Sequence, residues 1–288
     1  MILQFIINGL ITGLLYALVA IAFGFTYNTT RIFHIAYAGV LVAGSYIFLL
    51  FSRTGLPFPV AVPLTLLVCG LLNLLIEKSI YLPMEKHRNS LNTIMVASIG
   101  LFTILINLIA LLFGNENQTL TNEISRSFNL GHIIITRMQL LQFFIASVSI
   151  IVILIILSKS RWGLNIKALS YNKELFSVLG NNAIRIRSLL TFFSGVIAAI
   201  VSLLLALDVG FDPYFGMPLL LNALVVMILG GMGSFYGSLL GGVLLGITQS
   251  LSVYYFEARW ETAITFTILI LVLVFRPQGF FGKKERLV

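Results

Sequence analysis

Three histidines (His34, His87 and His132) and one cysteine (Cys69) are the side chains best suited to acid–base, nucleophilic or metal chemistry, and they are widely scattered along the chain. No second His, Cys or acid stands near His34, and Cys69 sits inside an apolar run with no CxxC partner, which suits packing rather than redox or metal work. No Gly-x-x-x-x-Gly-Lys-Ser/Thr loop occurs, so ATP is not hydrolysed here by that route. What remains is recognition chemistry in one polar stretch, residues 158–187, SKSRWGLNIKALSYNKELFSVLGNNAIRIR. It carries six of the eighteen Lys and Arg against a single acid, Glu174. Apolar residues recur within it at helical spacing: Leu164, Ala168, Leu175 and Leu179, flanked by Ile166, Leu169 and Phe176. Asn172 and Asn182 are placed to cap helices and Gly180 to end one, so a short, rigid amphipathic helix suited to a soluble partner is expected.

The elements that must hold this stretch are lipid-like. Of the 288 residues, 59% are hydrophobic and 10% charged, and continuous apolar runs recur from end to end. Continuity excludes barrel strands, which would alternate polar and apolar. The expected fold is an all-α polytopic integral membrane bundle forming one domain over residues 1–288. The net charge of +8 reflects span ends and anionic headgroups rather than nucleic acid. The start, MILQFIINGL, lacks a basic n-region and is expected to be a retained first span.

Nine apolar segments can be marked: 3–27, 36–51, 57–76, 93–113, 140–157, 188–207, 217–232, 234–253 and 260–276. Since a span needs ~20 residues, the shorter ones must be tilted or broken, and about eight to nine transmembrane segments are expected. On one side fall Arg31, Lys78, Lys86, Arg88, the six basic residues of the long loop, Arg276, Lys283, Lys284 and Arg286. Only Arg53, Arg126, Arg137 and Arg259 fall on the other. This asymmetry puts the N-terminus outside and places both the 158–187 loop and the C-terminus in the cytoplasm. A periplasmic loop at about 114–139 carries Glu116 and Glu123, which read either as ordinary solvated loop charge or as a docking surface for a soluble receptor.

No Asp, Glu, Lys or Arg falls in the middle of a marked segment; Glu261 and Arg276 lie at the ends of the last. Proton pumps usually place such groups at depth, so energy for transport is expected to enter elsewhere. Candidates for a substrate path are Asn28, His34 and Tyr37 around a polar re-entry between the first two segments, and Asn222 in the seventh. With them go Gly230, Gly231 and Gly233, where a broken helix would expose backbone to a zwitterion. The plain alternatives are a structural imidazole for His34 and close helix packing for the glycines. Small-residue spacing shared by Tyr37-Ala38-Gly39 and Tyr236-Gly237-Ser238 suggests a parallel internal repeat.

Three stretches carry a resemblance: NGLITGLLYALVAIAFGFTYNTTRIFHIAYAG, SRWGLNIKALSYNKELFSVLG and ALVVMILGGMGSFYGSLLGGVLLG. Over nearly its whole length the chain resembles permease subunits of bacterial branched-chain amino-acid ABC importers, and more closely the shorter of their two permease types. In such importers a Glu followed six residues later by Gly marks a coupling helix that sits in a groove of the ATPase. Glu174 and Gly180 have that spacing, with Leu175 and Phe176 where two alanines are usual. The resemblance thus implies ATPase coupling by Ala168, Leu169, Asn172, Glu174, Leu175, Phe176 and Gly180. It also implies a non-catalytic subunit of the bacterial inner membrane, without a cofactor of its own, ATP and magnesium residing on the partners. Those partners would be a second permease, identical or different, two ATPase subunits, a substrate-binding protein and membrane lipids. The family commonly reads Asn-Phe-Ala-His-Gly where this chain has His34-Ile35-Ala36-Tyr37-Ala38, so urea, amides or other amino acids are alternative cargoes.

Two other classes stay open from the residues alone. A gradient-driven carrier or channel would need no partner, and its basic loop would be only a topological anchor. An intramembrane enzyme would need a constellation that His34, His87, His132 and Cys69 do not suggest.

Overall fold

The computed structural model describes residues 2–87, 89–120, 127–130 and 133–282. Arg88, Glu123, Arg126, His132, Lys283, Lys284 and Arg286, named above, lie outside the described residues.

The apolar runs become helices close to their expected limits. In order they are α1 (Ile2–Thr30), α2 (Tyr37–Arg53), α3 (Phe58–Ile76), a π-turn (Glu77–Tyr81), α4 (Leu82–Lys86) and α5 (Leu91–Phe113). An antiparallel hairpin of β1 (Ser127–Leu130) and β2 (Ile133–Thr136) follows, pairing Ser127 with Thr136, inside the loop expected at 114–139. Then come α6 (Arg137–Lys159), α7 (Arg161–Tyr171), α8 (Lys173–Val178), α9 (Ala183–Asp208), α10 (Gly216–Gly230) and α11 (Phe235–Phe256). A 3₁₀ turn (Ala258–Trp260) leads into α12 (Glu261–Phe275).

Among the described residues, seven helices are long and apolar enough to cross a bilayer, and α2 and α10 are shorter apolar helices of 17 and 15 residues. Large apolar side chains on α5 face outward, Leu111 being 82% exposed, as a lipid-facing surface requires. Ser90, Ser160, Asn172, Asn182 and Ser234 cap α5, α7, α8, α9 and α11 through side-chain oxygens that accept from the backbone N–H three residues on.

Two expectations are corrected. The third apolar segment does not stop at Ile76: through the π-turn and α4 the helix continues to Lys86. Lys78 and Lys86, counted above among the basic residues of one side, are therefore helical. Pro83 would clash with the carbonyl four residues earlier in a regular helix, and the wider π-turn just before it relieves that crowding. The basic stretch is also not one helix but two, because Asn172 is extended (φ −152°, ψ 105°) and serves as C-cap of α7 and N-cap of α8.

The chain forms two compact units from interleaved segments. One takes residues 1–24, 123–155 and 221–288, the other 25–122 and 156–220. Within the first, α1 and α11 meet backbone to backbone: a Cβ on Gly13 would stand 2.5 Å from the Gly242 carbonyl oxygen, and one on Gly246 would strike the Gly9 carbonyl. Within the second, α3 packs on α9, with Gly195 against the Cys69 carbonyl and Phe192 against Gly70. Ser45 of α2 and Ser202 of α9 share a hydrogen bond of 2.5 Å there.

Candidate functional site: a polar spine and a short helix pair

α1 ends in polar residues that bond back onto the helix. Thr29 Oγ1 donates to the Phe25 carbonyl at 2.9 Å and Thr30 Oγ1 to that of Thr26 at 2.8 Å. Arg31 then takes a left-handed conformation (φ 58°), and the chain turns through Ile32 and His34 into α2.

His34 is 1% exposed, and both ring nitrogens are engaged. Nε2 lies 2.7 Å from Asn73 Oδ1 on α3 and Nδ1 lies 2.7 Å from the Tyr81 hydroxyl on the π-turn. Asn73 Nδ2 donates to the Thr191 carbonyl of α9 at 2.8 Å, so its Oδ1 is left to accept and His34 carries its proton on Nε2. Tyr81 is also 2.7 Å from Ser98 Oγ on α5, which accepts from the Ala36 N–H at 2.9 Å. Burial pushes the imidazole down to about 4, with the Asn73 bond opposing. The ring thus ties the α1–α2 connection to α3 and the π-turn directly, and through Asn73 and Tyr81 to α9 and α5.

One turn before Tyr81, the same π-turn presents Glu77, fully buried, to Arg187 of α9, which is 2% exposed. Arg187 Nη1 also meets Glu85 Oε2 of α4, and Glu85 Oε1 meets Lys173 Nζ of α8. Two acids and two bases form a neutral chain from the short helix pair to the bundle. Its links differ in strength. An exposed pair such as Lys173 with Glu85 contributes roughly 0–1 kcal/mol. Removing one member of a buried pair such as Arg187 with Glu77 costs about 3–5 kcal/mol.

The marked segments are free of charge in their middles, but the helices run past the marked bounds and take in two charges that stand just beyond them. Glu77 is inside the helix that runs from Phe58 to Lys86 and Arg187 is inside α9, and each neutralises the other. A single sequence places both at loop edges, and nothing in it pairs residues so far apart.

The expected coupling residues lie on the short helix pair. Ala168 and Leu169 belong to α7, Asn172 caps α8, and Glu174 stands exposed in the first turn of α8. Phe176 and Leu169 are buried, whereas Leu175, Val178 and Leu179 are exposed; Leu179 C-caps α8 and Gly180 follows at φ 81°.

The expected path residues are divided. Asn28, His34 and Tyr37 fall in the second unit, all buried, with the Tyr37 hydroxyl donating to the Ser194 carbonyl at 3.0 Å. Asn222, Gly230, Gly231 and Gly233 fall in the first. Asn222 belongs to a polar group that sequence inspection missed: it accepts from Gln249 Nε2 at 3.3 Å and bonds Tyr16, while Gln249 Nε2 also donates to Thr265 Oγ1 at 2.6 Å. The glycine break is occupied by the chain itself. Gly231 and Gly233 take φ 96° and 98°, which only glycine adopts without strain; the backbone after α12 lies over Leu229 to Gly231, while Gly233 stays exposed. Phe280 N–H donates to the Leu229 carbonyl at 2.8 Å and Phe281 N–H to the Gly230 carbonyl at 3.1 Å.

Residues 5–273 match the family described as branched-chain amino acid transport system / permease component. The chain is 28% identical over 298 residues to the high-affinity branched-chain amino acid transport system permease protein BraD of Pseudomonas aeruginosa, covering 98% of this chain and 96% of that one. It is also 28% identical to LivH of Escherichia coli over 296 residues, with the same coverage. Among solved structures, PsaBC from Streptococcus pneumoniae in complex with Fab aligns with a TM-score of 0.53 over 95% of this chain and 92% of that one, at 15% identity, a likeness of fold. The chain is a multi-pass membrane protein and belongs to the LivH-like permease components of branched-chain amino acid ABC transport systems.

Proposed function

We propose that the chain is the membrane-spanning permease subunit of an ABC importer in the bacterial inner membrane, moving branched-chain amino acids into the cytoplasm. It pairs with a second permease, is driven by two separate ATPase subunits and receives cargo from a soluble or lipid-anchored binding protein. The α7–α8 pair faces the cytoplasm and docks on an ATPase.

The observation that carries this reading is the make-up of that pair. In a basic stretch with helices capped at Ser160 and Asn172, apolar side chains stand out in solvent: Tyr171 is 93% exposed, Val178 82% and Leu179 71%. A mere topological anchor needs only the Lys and Arg. Rigid, unpartnered apolar side chains on a short capped helix suit a protein groove. ATP-driven closure of the ATPases would then push α8 as a body and switch access to cargo. Asn222, with Tyr16 and Gln249, supplies uncharged hydrogen-bonding groups in the first unit for a zwitterion, as Asn28 and Tyr37 do in the second.

The test is uptake of labelled leucine by vesicles holding the chain with its partner permease, ATPases and binding protein. ATP inside the reconstituted cytoplasmic compartment should drive accumulation, and an ion gradient without ATP should not. Gradient-driven uptake by the chain alone would favour a secondary carrier.

A further inference from the structure

The Lys173–Glu85–Arg187–Glu77 chain does more than neutralise charge, because its ends lie on elements with different tasks. Lys173 is the first residue of α8; Glu77 is the first residue of the π-turn, whose last residue, Tyr81, holds His34 at the α1–α2 connection. We propose that these four side chains form the joint through which displacement of α8 passes to the π-turn, and that Lys173–Glu85 is the link that sets how much is passed. This rests on the reading of α7–α8 as the ATPase-docking pair.

Three observations support it. First, α8 has six residues and one buried side chain, Phe176, so apolar packing alone holds it weakly. Second, the chain is neutral only when Lys173 is present: Glu77, Arg187 and Glu85 together carry one net negative charge, and departure of α8 would leave it uncompensated beside the buried Arg187. Third, exposure is graded along the joint. Lys173 and Glu85 are 44% and 37% exposed, against 2% and 0% for Arg187 and Glu77, so solvent weakens the first link while the last is rigid. Glu77 and Tyr81 share one π-turn, a helix irregularity that is common at functional sites. The warrant is direct contact between rigid elements, which a coupling measurement must complete.

The experiment uses the complete importer reconstituted in vesicles and reads leucine taken up per ATP hydrolysed. Lys173→Gln should lower that ratio about tenfold while the ATPase rate and assembly with the partner subunits persist, and Lys173→Arg should keep it near the wild type. Glu85→Gln should lower it at least as far, and the double variant should be no worse than Glu85→Gln alone, since both act through one contact. An unchanged ratio in Lys173→Gln, an equal loss in Lys173→Arg, or losses that multiply in the double variant would overturn the joint. Multiplying losses would mean that Lys173 acts on the ATPase directly. If Glu85→Gln fails to assemble, the two Lys173 variants decide alone. Absence of ATP-driven uptake by the wild-type complex would refute the importer reading instead.

Discussion

His34 Nε2 faces Asn73 Oδ1 at 2.7 Å, and that bond fixes the tautomer of a ring that its burial keeps neutral. Burial holds the imidazole down at about 4, below its usual 6.5. A histidine depressed in this way favours the folded state while neutral. That contribution is complete above the unfolded value and is lost as pH falls from there through the folded value. The melting temperature of the detergent-solubilised protein should therefore drop as pH falls from about 7 to about 4. His34→Gln should flatten that part of the profile. A wild-type profile without a slope there would remove the neutral-ring assignment.

Arg187 stands between two acids, and truncating it leaves Glu77 buried without a counter-charge. Arg187→Ala should lose about 3–5 kcal/mol, read as loss of folded protein in membranes or a large fall in melting temperature. Arg187→Met combined with Glu77→Leu should recover much of it, since a well-packed apolar pair replaces a buried ion pair at little cost. If Arg187→Ala melts with the wild type, Glu77 is not held as a buried carboxylate.

These residues show how far one sequence reaches. Continuous apolar runs revealed the helices, because hydrocarbon selects composition along a whole span. Caps at Asn172 and Asn182 were legible because capping is local, three residues from oxygen to N–H. The pairing of Glu77 with Arg187 was not, since charge at a span edge looks the same whether it faces water or a distant partner. The bonds that join Gln249, Asn222 and Tyr16 were hidden similarly: Asn222 was picked out, but nothing in the sequence pairs it with a polar residue on another helix. The glycines at 230, 231 and 233 were noticed, but the chain that lies against the first two comes from residues 278–282, which periodicity does not report.

Gly246 meets Gly9 and Gly13 across the α1–α11 contact with no room for a methyl group. Gly246→Ala should push the helices apart and lower stability by ~1–3 kcal/mol. Gly100→Ala, on an open face of α5, should be neutral or slightly stabilising through helix propensity. Thermal unfolding of the two variants side by side checks this, and equal melting temperatures would contradict the packing.

Glu174 is exposed in the first turn of α8, where its charge suits the helix N-terminus. Glu174→Lys should leave insertion and melting nearly unchanged, within about 0.5 kcal/mol. Uptake by the complete importer should nevertheless fall at least tenfold, because the reversal strikes the surface offered to the ATPase. Wild-type uptake by a well-expressed variant would deny Glu174 that role.

The most direct test of the central claim is purification of the tagged chain from its host membrane in mild detergent, with mass spectrometry of everything that accompanies it. The account predicts two ATPase subunits per permease pair, with their retention reduced when the exposed Tyr171, Val178 and Leu179 are replaced by Ser. A chain that comes out alone, and that purified ATPases from neighbouring genes do not bind, would contradict it.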